Sequence, residues 1–300
     1  MRSLVCVLLV PLLAACAVTG GEQEWVDQPY AFPDAPGVVY LESFGSVMDV
    51  DPPSAFEKFV IGEDIYKGNQ VITNPWGIAT TRGKVYINDG FGNSAYFEYD
   101  LETRKLKAFP DPLLAGSSGI AVDSAGNKYV AVPRLVEAKA KGTFGTAEET
   151  GRVVVFDKRN RRTTVLDIPG RPVDVAVGDD KLFVSNLVRN NITVLDLKTL
   201  EITGAFGQNG PEGTELRGPR GIAVGGDGRV YVGDMFAGRV KVFEQDGTYV
   251  AQYGYRARFV GGFMAITGVD ADKEGVVYAV DSMASLKGTH DDVQILKSWE

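Results

Sequence analysis

The chain has 300 residues, 44% of them hydrophobic and 23% charged. Its 39 acidic residues outnumber 31 basic ones, for a formal net charge of −8, a sign that opposes binding to nucleic acid and direct attraction to anionic lipid head groups. Its 2 cysteines, Cys6 and Cys16, both lie near the start, which leaves no disulfide to expect in the folded part.

Met1-Arg2-Ser3 supplies one positive charge, and Leu4 to Leu13 is an apolar run broken by Pro11. That run is too short to cross a bilayer as a helix and reads as a secretory signal. Leu13-Ala14-Ala15-Cys16 follows and resembles the bacterial lipobox. The resemblance implies removal of residues 1–15 and acylation of Cys16 on its sulfur and its amine. The membrane is then a partner through a lipid anchor. Ala17 after the cysteine, in place of Asp, implies the outer membrane, with the protein facing the periplasm or the cell surface. Residues 16–36 contain Gly20, Gly21, Pro29, Pro33 and Pro36 with little periodicity, and read as a tether to a domain over 37–300.

Gly37 to Gly45 predicts one strand, and 46–74 is an insertion with a short helix expected over Ser54–Ile61, capped by Ser54. From there one pattern recurs. Its fullest copy is Gly218-Pro219-Arg220-Gly221-Ile222-Ala223-Val224, a Gly turn at 225–228, Val230-Tyr231-Val232-Gly233-Asp234, then Arg239-Val240-Lys241-Val242-Phe243. Other copies start at Pro75-Trp76-Gly77-Ile78, Ser118-Gly119-Ile120-Ala121, Pro172-Val173-Asp174-Val175 and Thr267-Gly268-Val269-Asp270. Several strands per unit at a spacing of about 40 to 55 residues predict an all-β propeller of four-stranded blades. The first strand of each unit is expected innermost, the second buried on both faces, the third alternating and the fourth polar on the rim. Five first strands give five blades, with six as the alternative. The last unit stops at a third strand near Leu296, so the strand over 37–45 is expected to complete it and close the ring.

At these residues the chain resembles the NHL-repeat propellers, whose pattern is Pro-x-Gly-Ile-Ala-Val-Asp, a Gly turn, Tyr-Val-x-Asp and Arg-Val-x-x-Phe. The copy at 219–243 matches almost throughout, while Asp174 replaces the usual Gly and Ile266 the usual Pro. The resemblance implies the fold and not an activity.

Propellers bind ligands where the loops entering the innermost strands converge. The residue before the repeat Gly lies there in each unit: Trp76, Ser118, Val173, Arg220 and Thr267, with Asp174 one position on. Propeller lactonases of the gluconolactonase type place Glu, Asn and Asp ligands for a divalent ion at such positions, and none of the five is one of these. Amidating propeller lyases hold zinc through several histidines, whereas this chain has 1, His290, expected in a solvated loop. No catalytic residue, metal or cofactor is therefore expected. Asp89, Asn186, Asp234 and Asp281 end the second strands and are expected to cap turns through backbone amides, with Arg239 in the same polar network. Trp76 and Arg220, if both face the mouth, would form a cation–π or anion-accepting floor, with the 134–150 insertion as a neighbouring loop. The expected role is a non-enzymatic binding or scaffolding module for a protein or peptide of the cell envelope. The alternative is a lactonase-like hydrolase or lyase.

Overall fold

A computed structural model describes residues 71–81, 83–133, 149–257, 262–273 and 275–281, and the backbone of 292–296. All of these belong to one unit, Gly45–Glu300. Cys16, the tether, the strand expected over 37–45, the helix expected over Ser54–Ile61, most of the 134–150 insertion and His290 lie outside the described residues.

Five antiparallel sheets follow one another along the chain. The first holds β1 (Gly77–Thr81), β2 (Lys84–Asp89), β3 (Ala95–Asp100) and β4 (Lys105–Pro110). The second holds β5 (Ile120–Val122), β6 (Lys128–Val132), β7 (Thr150–Phe156) and β8 (Arg162–Pro169). The third holds β9 (Pro172–Val177), β10 (Lys181–Asn186), β11 (Asn191–Asp196) and β12 (Ile202–Phe206). The fourth holds β13 (Pro219–Val224), β14 (Val230–Asp234), β15 (Arg239–Phe243) and β16 (Tyr249–Tyr253). The fifth has three strands among the described residues, β17 (Ile266–Ala271), β18 (Val277–Asp281) and β19 (Asp292–Leu296). Every sheet is a meander of sequence neighbours, and the first strands line a common cavity. The fold is a β-propeller, as the repeats predict.

Each repeat turn has a mechanism. Between β5 and β6, Gly126 takes φ 86°, a left-handed conformation costly for other residues, while Asp123 Oδ1 accepts from the Asn127 amide at 2.8 Å. The repeat Gly before the apolar triplet serves a different need. A Cβ on Gly119 would lie 2.6 Å from Asp174 Cα, and one on Gly221 2.5 Å from the Val269 amide nitrogen. The innermost strands approach so closely there that a side chain has no room.

Four apolar clusters lie between consecutive blades, for example Phe183, Val194, Ile222, Val232 and Phe243 between the third and fourth. The fourth strands β8 and β12 are mostly exposed, as expected on a rim, and β16 is mostly half-buried. The third strands depart from expectation. Arg239-Val240-Lys241-Val242-Phe243 alternates in sequence, yet β15 is buried from Val240 through Phe243. A blade is covered on both faces by its neighbours, so the alternate polar position also meets protein. Lys241 is 2% exposed and its ammonium sits 3.0 Å from Asp234 Oδ2, itself fully buried.

The described blades end on two open flanks. Tyr129 and Tyr231 bury one flank of their blades at 3% and 4% exposure, whereas the equivalent Tyr278 of the fifth blade is 37% exposed. On the opposite flank of the first blade, Ile78 is 68% exposed, against 4% for the equivalent Ile120 and Ile222. Ring closure by residues 37–45 and the sixth-blade alternative concern chain outside the described residues.

Candidate functional site: the tunnel mouth

The mouth is built from two sets of loops that the sheet geometry brings to one end. Each first strand starts where the second strand of its blade ends, as Gly77 opposite Asn88 and Pro219 opposite Asp234 show. The carboxylates ending the second strands fasten the incoming loops, which is the capping role expected of them. Asp89 accepts from the Thr73 and Asn74 amides at 3.0 and 2.7 Å. Asp234 accepts the Arg217 amide on both oxygens at 2.9 Å. Asp281 accepts from Met264 and Ala265 at 2.8 and 2.7 Å, and Asn186 accepts from Arg171 at 2.9 Å. Arg239 makes none of these bonds; Lys241, two residues on, completes the set at Asp234. Two residues are needed to return to the same side of the strand.

The five positions picked from the sequence reach this end but do unequal things there. Trp76 is 49% exposed and packs against Phe91 at a tilt of 38°, ring centroids 4.9 Å apart, while its indole N–H donates to Asn74 Oδ1 at 3.1 Å. Arg220, from the fourth blade, lies over the Trp76 ring of the first at 5.3 Å from guanidinium carbon to ring centroid. The pair spans the mouth. Ser118 instead donates to the Val173 carbonyl at 2.6 Å and stitches the second blade to the third. Thr267 lines the cavity with its hydroxyl 3.5 Å from the Val280 carbonyl, and Val173 lines it without a polar side chain.

Asp174 stands at the repeat Gly position and uses its carboxyl between blades. Oδ1 accepts from its neighbour Val175 at 2.9 Å and Oδ2 from Ile222 of the fourth blade at 3.1 Å. The group touches the tunnel lumen but is enclosed by three blades. Burial pushes it up to about 7, against those two amides and the attraction of Arg220. Asp270, also on the cavity wall, is raised by desolvation too. Desolvation first, and next the like charge of Arg171, hold the Arg220 guanidinium below its ordinary value.

The cavity below has a volume of about 720 Å³, within the range of small-ligand sites. Ile78, Ile120, Val122, Val175, Ile222 and Val269 give it an apolar wall. Among the described residues, no group of three or more His, Cys, Asp or Glu is placed to hold a metal ion.

No family model and no curated protein sequence matches the chain. Solved structures resemble it in fold. A protein of unknown function from Bacteroides caccae is 12% identical, with 77% of this chain and 78% of that one covered and a TM-score of 0.52. A nidogen–laminin complex contains a chain 12% identical, covered over 68% of this chain and 70% of that one, with a TM-score of 0.51. A catalytically inactive virginiamycin B lyase from Staphylococcus aureus, solved with quinupristin, is 14% identical over 69% of this chain and 78% of that one, at a TM-score of 0.44. At such identities the likeness is one of architecture, and the activity of the lyase does not transfer.

Several mouth residues escape a reading centred on the first strands. Phe91, Pro133, Leu187 and Met235 all line the cavity, as does Arg171. Each of the first four follows the end of a second strand by one or two residues, which is the sequence signal that locates them. Arg171 sits on the incoming loop of the third blade, one residue before Pro172.

Proposed function

We propose that this chain is a lipid-anchored, NHL-type propeller of the bacterial cell envelope whose tunnel mouth is a non-enzymatic binding surface for a protein or peptide partner. The observation that carries the reading is the Arg220–Trp76 pair across the mouth. Trp76 and its neighbour Phe91 are both about half exposed and pack against each other, so an apolar shelf faces solvent on a rigid scaffold. Trp and Arg dominate interface energies where they are preorganised, and loops fastened to packed sheets are ordered before binding at little further entropic cost. The two carboxyl-bearing or hydroxyl-bearing neighbours, Asp174 and Ser118, are occupied in joining blades, which favours recognition over chemistry at this point.

Replacing Trp76 and Arg220 together by Ala should lower capture of partners from detergent-solubilised envelope by tenfold or more. The melting temperature should stay within a few degrees, because the Arg220 side chain lies on the exposed Trp76 ring and the Met235 sulfur and forms no ion pair among the described residues. Unchanged capture with an intact fold would remove the mouth as the binding face. Anchoring has its own test, motivated by Leu13-Ala14-Ala15-Cys16. Cys16→Ser should move the protein from the membrane fraction to the soluble one and abolish acylation; an unmutated chain that carries no lipid would sink the anchor.

A further inference from the structure

Arg171 and Arg220 both line the mouth, and neither guanidinium forms an ion pair among the described residues. The Arg220 side chain has the Trp76 face and, at 3.7 Å, the Met235 sulfur, a weak acceptor. Arg171 donates its backbone amide to Asn186, and among the described residues its side chain forms no ion pair. The nearest acid, Asp174, spends its two oxygens on the Val175 and Ile222 amides. Desolvation, and next the like charge of Arg171, lower the Arg220 guanidinium's preference for charge, so Arg220 gains when an anion arrives. This concentration of positive charge is set in a chain of net charge −8. Around it the rim is apolar: Phe91, Pro133, Leu187 and Met235. A planar fork of donors over an apolar bed matches a carboxylate carried on an apolar group.

We infer that the mouth captures the C-terminal carboxylate of its peptide or protein partner, with the carboxylate on Arg171 and Arg220 and an apolar last side chain against Trp76, Phe91 and Met235. The inference rests on the mouth being the partner-binding face, and it adds the chemistry of the partner. A chain end is favoured over an internal acidic segment because the two arginines are the cations lining the mouth among the described residues, and apolar Phe91, Pro133, Leu187 and Met235 line it with them. A segment with several charges would leave the others desolvated without partners.

The test uses the full chain in detergent and two libraries of random decapeptides, one with a free C-terminal carboxylate and one amidated. Peptides ending in Leu, Ile, Met or Phe should be enriched from the free-acid library, and amidation of an enriched peptide should weaken it at least tenfold. Arg171→Gln and Arg220→Gln should each weaken the free acid by a similar factor and leave the amide unchanged. Equal binding of acid and amide, or no enrichment from the free-acid library, overturns the inference. N-acetylphenylalanine binding as tightly as the enriched peptides would also overturn it, since the occupant would then be a small carboxylate and not a chain end. If no peptide is enriched while the Trp76 and Arg220 double variant still loses envelope capture, only this inference fails. If acid peptides bind and envelope capture is untouched by that double variant, it is the partner-face reading that fails.

Discussion

Asp234→Ala should be among the most destabilising single changes in this protein, lowering stability by about 3–5 kcal/mol. The side chain is fully buried, accepts the Arg217 amide on both oxygens and pairs with Lys241 at 3.0 Å. Alanine would leave that amide without its acceptor and the ammonium of Lys241, 2% exposed, without its counter-charge. Lys241 also donates to the Glu215 carbonyl, so it cannot swing out to water without breaking a second contact. For a domain of this size the loss corresponds to a fall in melting temperature on the order of 10 °C. Pairing Asp234→Ala with Lys241→Met should cost clearly less than the sum of the two single changes, because the pair's desolvation disappears with it. Thermal unfolding of the four proteins measures both. A loss under about 1 kcal/mol for Asp234→Ala would mean the pair contributes nothing net to the fourth blade.

Asp174→Asn should change the pH dependence of stability more than its level at any one pH. In the folded protein this carboxyl is raised to about 7 from an ordinary 3.8, so the native state holds a proton that the unfolded chain has released. Between those values the native state binds more protons, and stability falls as pH rises from about 4 to about 7, levelling above. The full difference bounds the effect at ~4 kcal/mol, with lumen water around the carboxyl lessening it. Asparagine keeps an acceptor for the Ile222 amide and never takes the charge. Relative to the natural chain, the variant should therefore gain stability steadily across that window and hold the gain at pH 8. Subtracting the two unfolding curves cancels the titrating groups that do not interact with Asp174. A difference that stays flat from pH 4 to pH 8 would place the carboxyl near its ordinary value and refute its desolvation.

The repeat itself was readable because its physics is local. Gly turns, the apolar triplet after Gly119 or Gly221, and the Asp or Asn that ends most second strands recur in register, and each is written within one blade's stretch of sequence. The mouth positions followed from the same register, which is why Trp76 and Arg220 could be singled out. Their meeting could not be: they belong to the first and fourth blades, and only the packing of the sheets sets the guanidinium over the indole at 5.3 Å. Likewise Asp174 reads in sequence as a lapse from Gly, and its bond to Ile222 across a blade boundary becomes visible only in three dimensions. Lys241 misled for a related reason. Alternation predicts an exposed face for a strand with one neighbour, whereas a propeller blade has neighbours on both sides, so the polar residue was driven inward onto Asp234. Sequence alone determined the architecture, since each repeat carries its own turn, strand and cap signals. Tertiary structure alone decided which side chains share the mouth, because those contacts join residues on different blades and no period in the sequence encodes them.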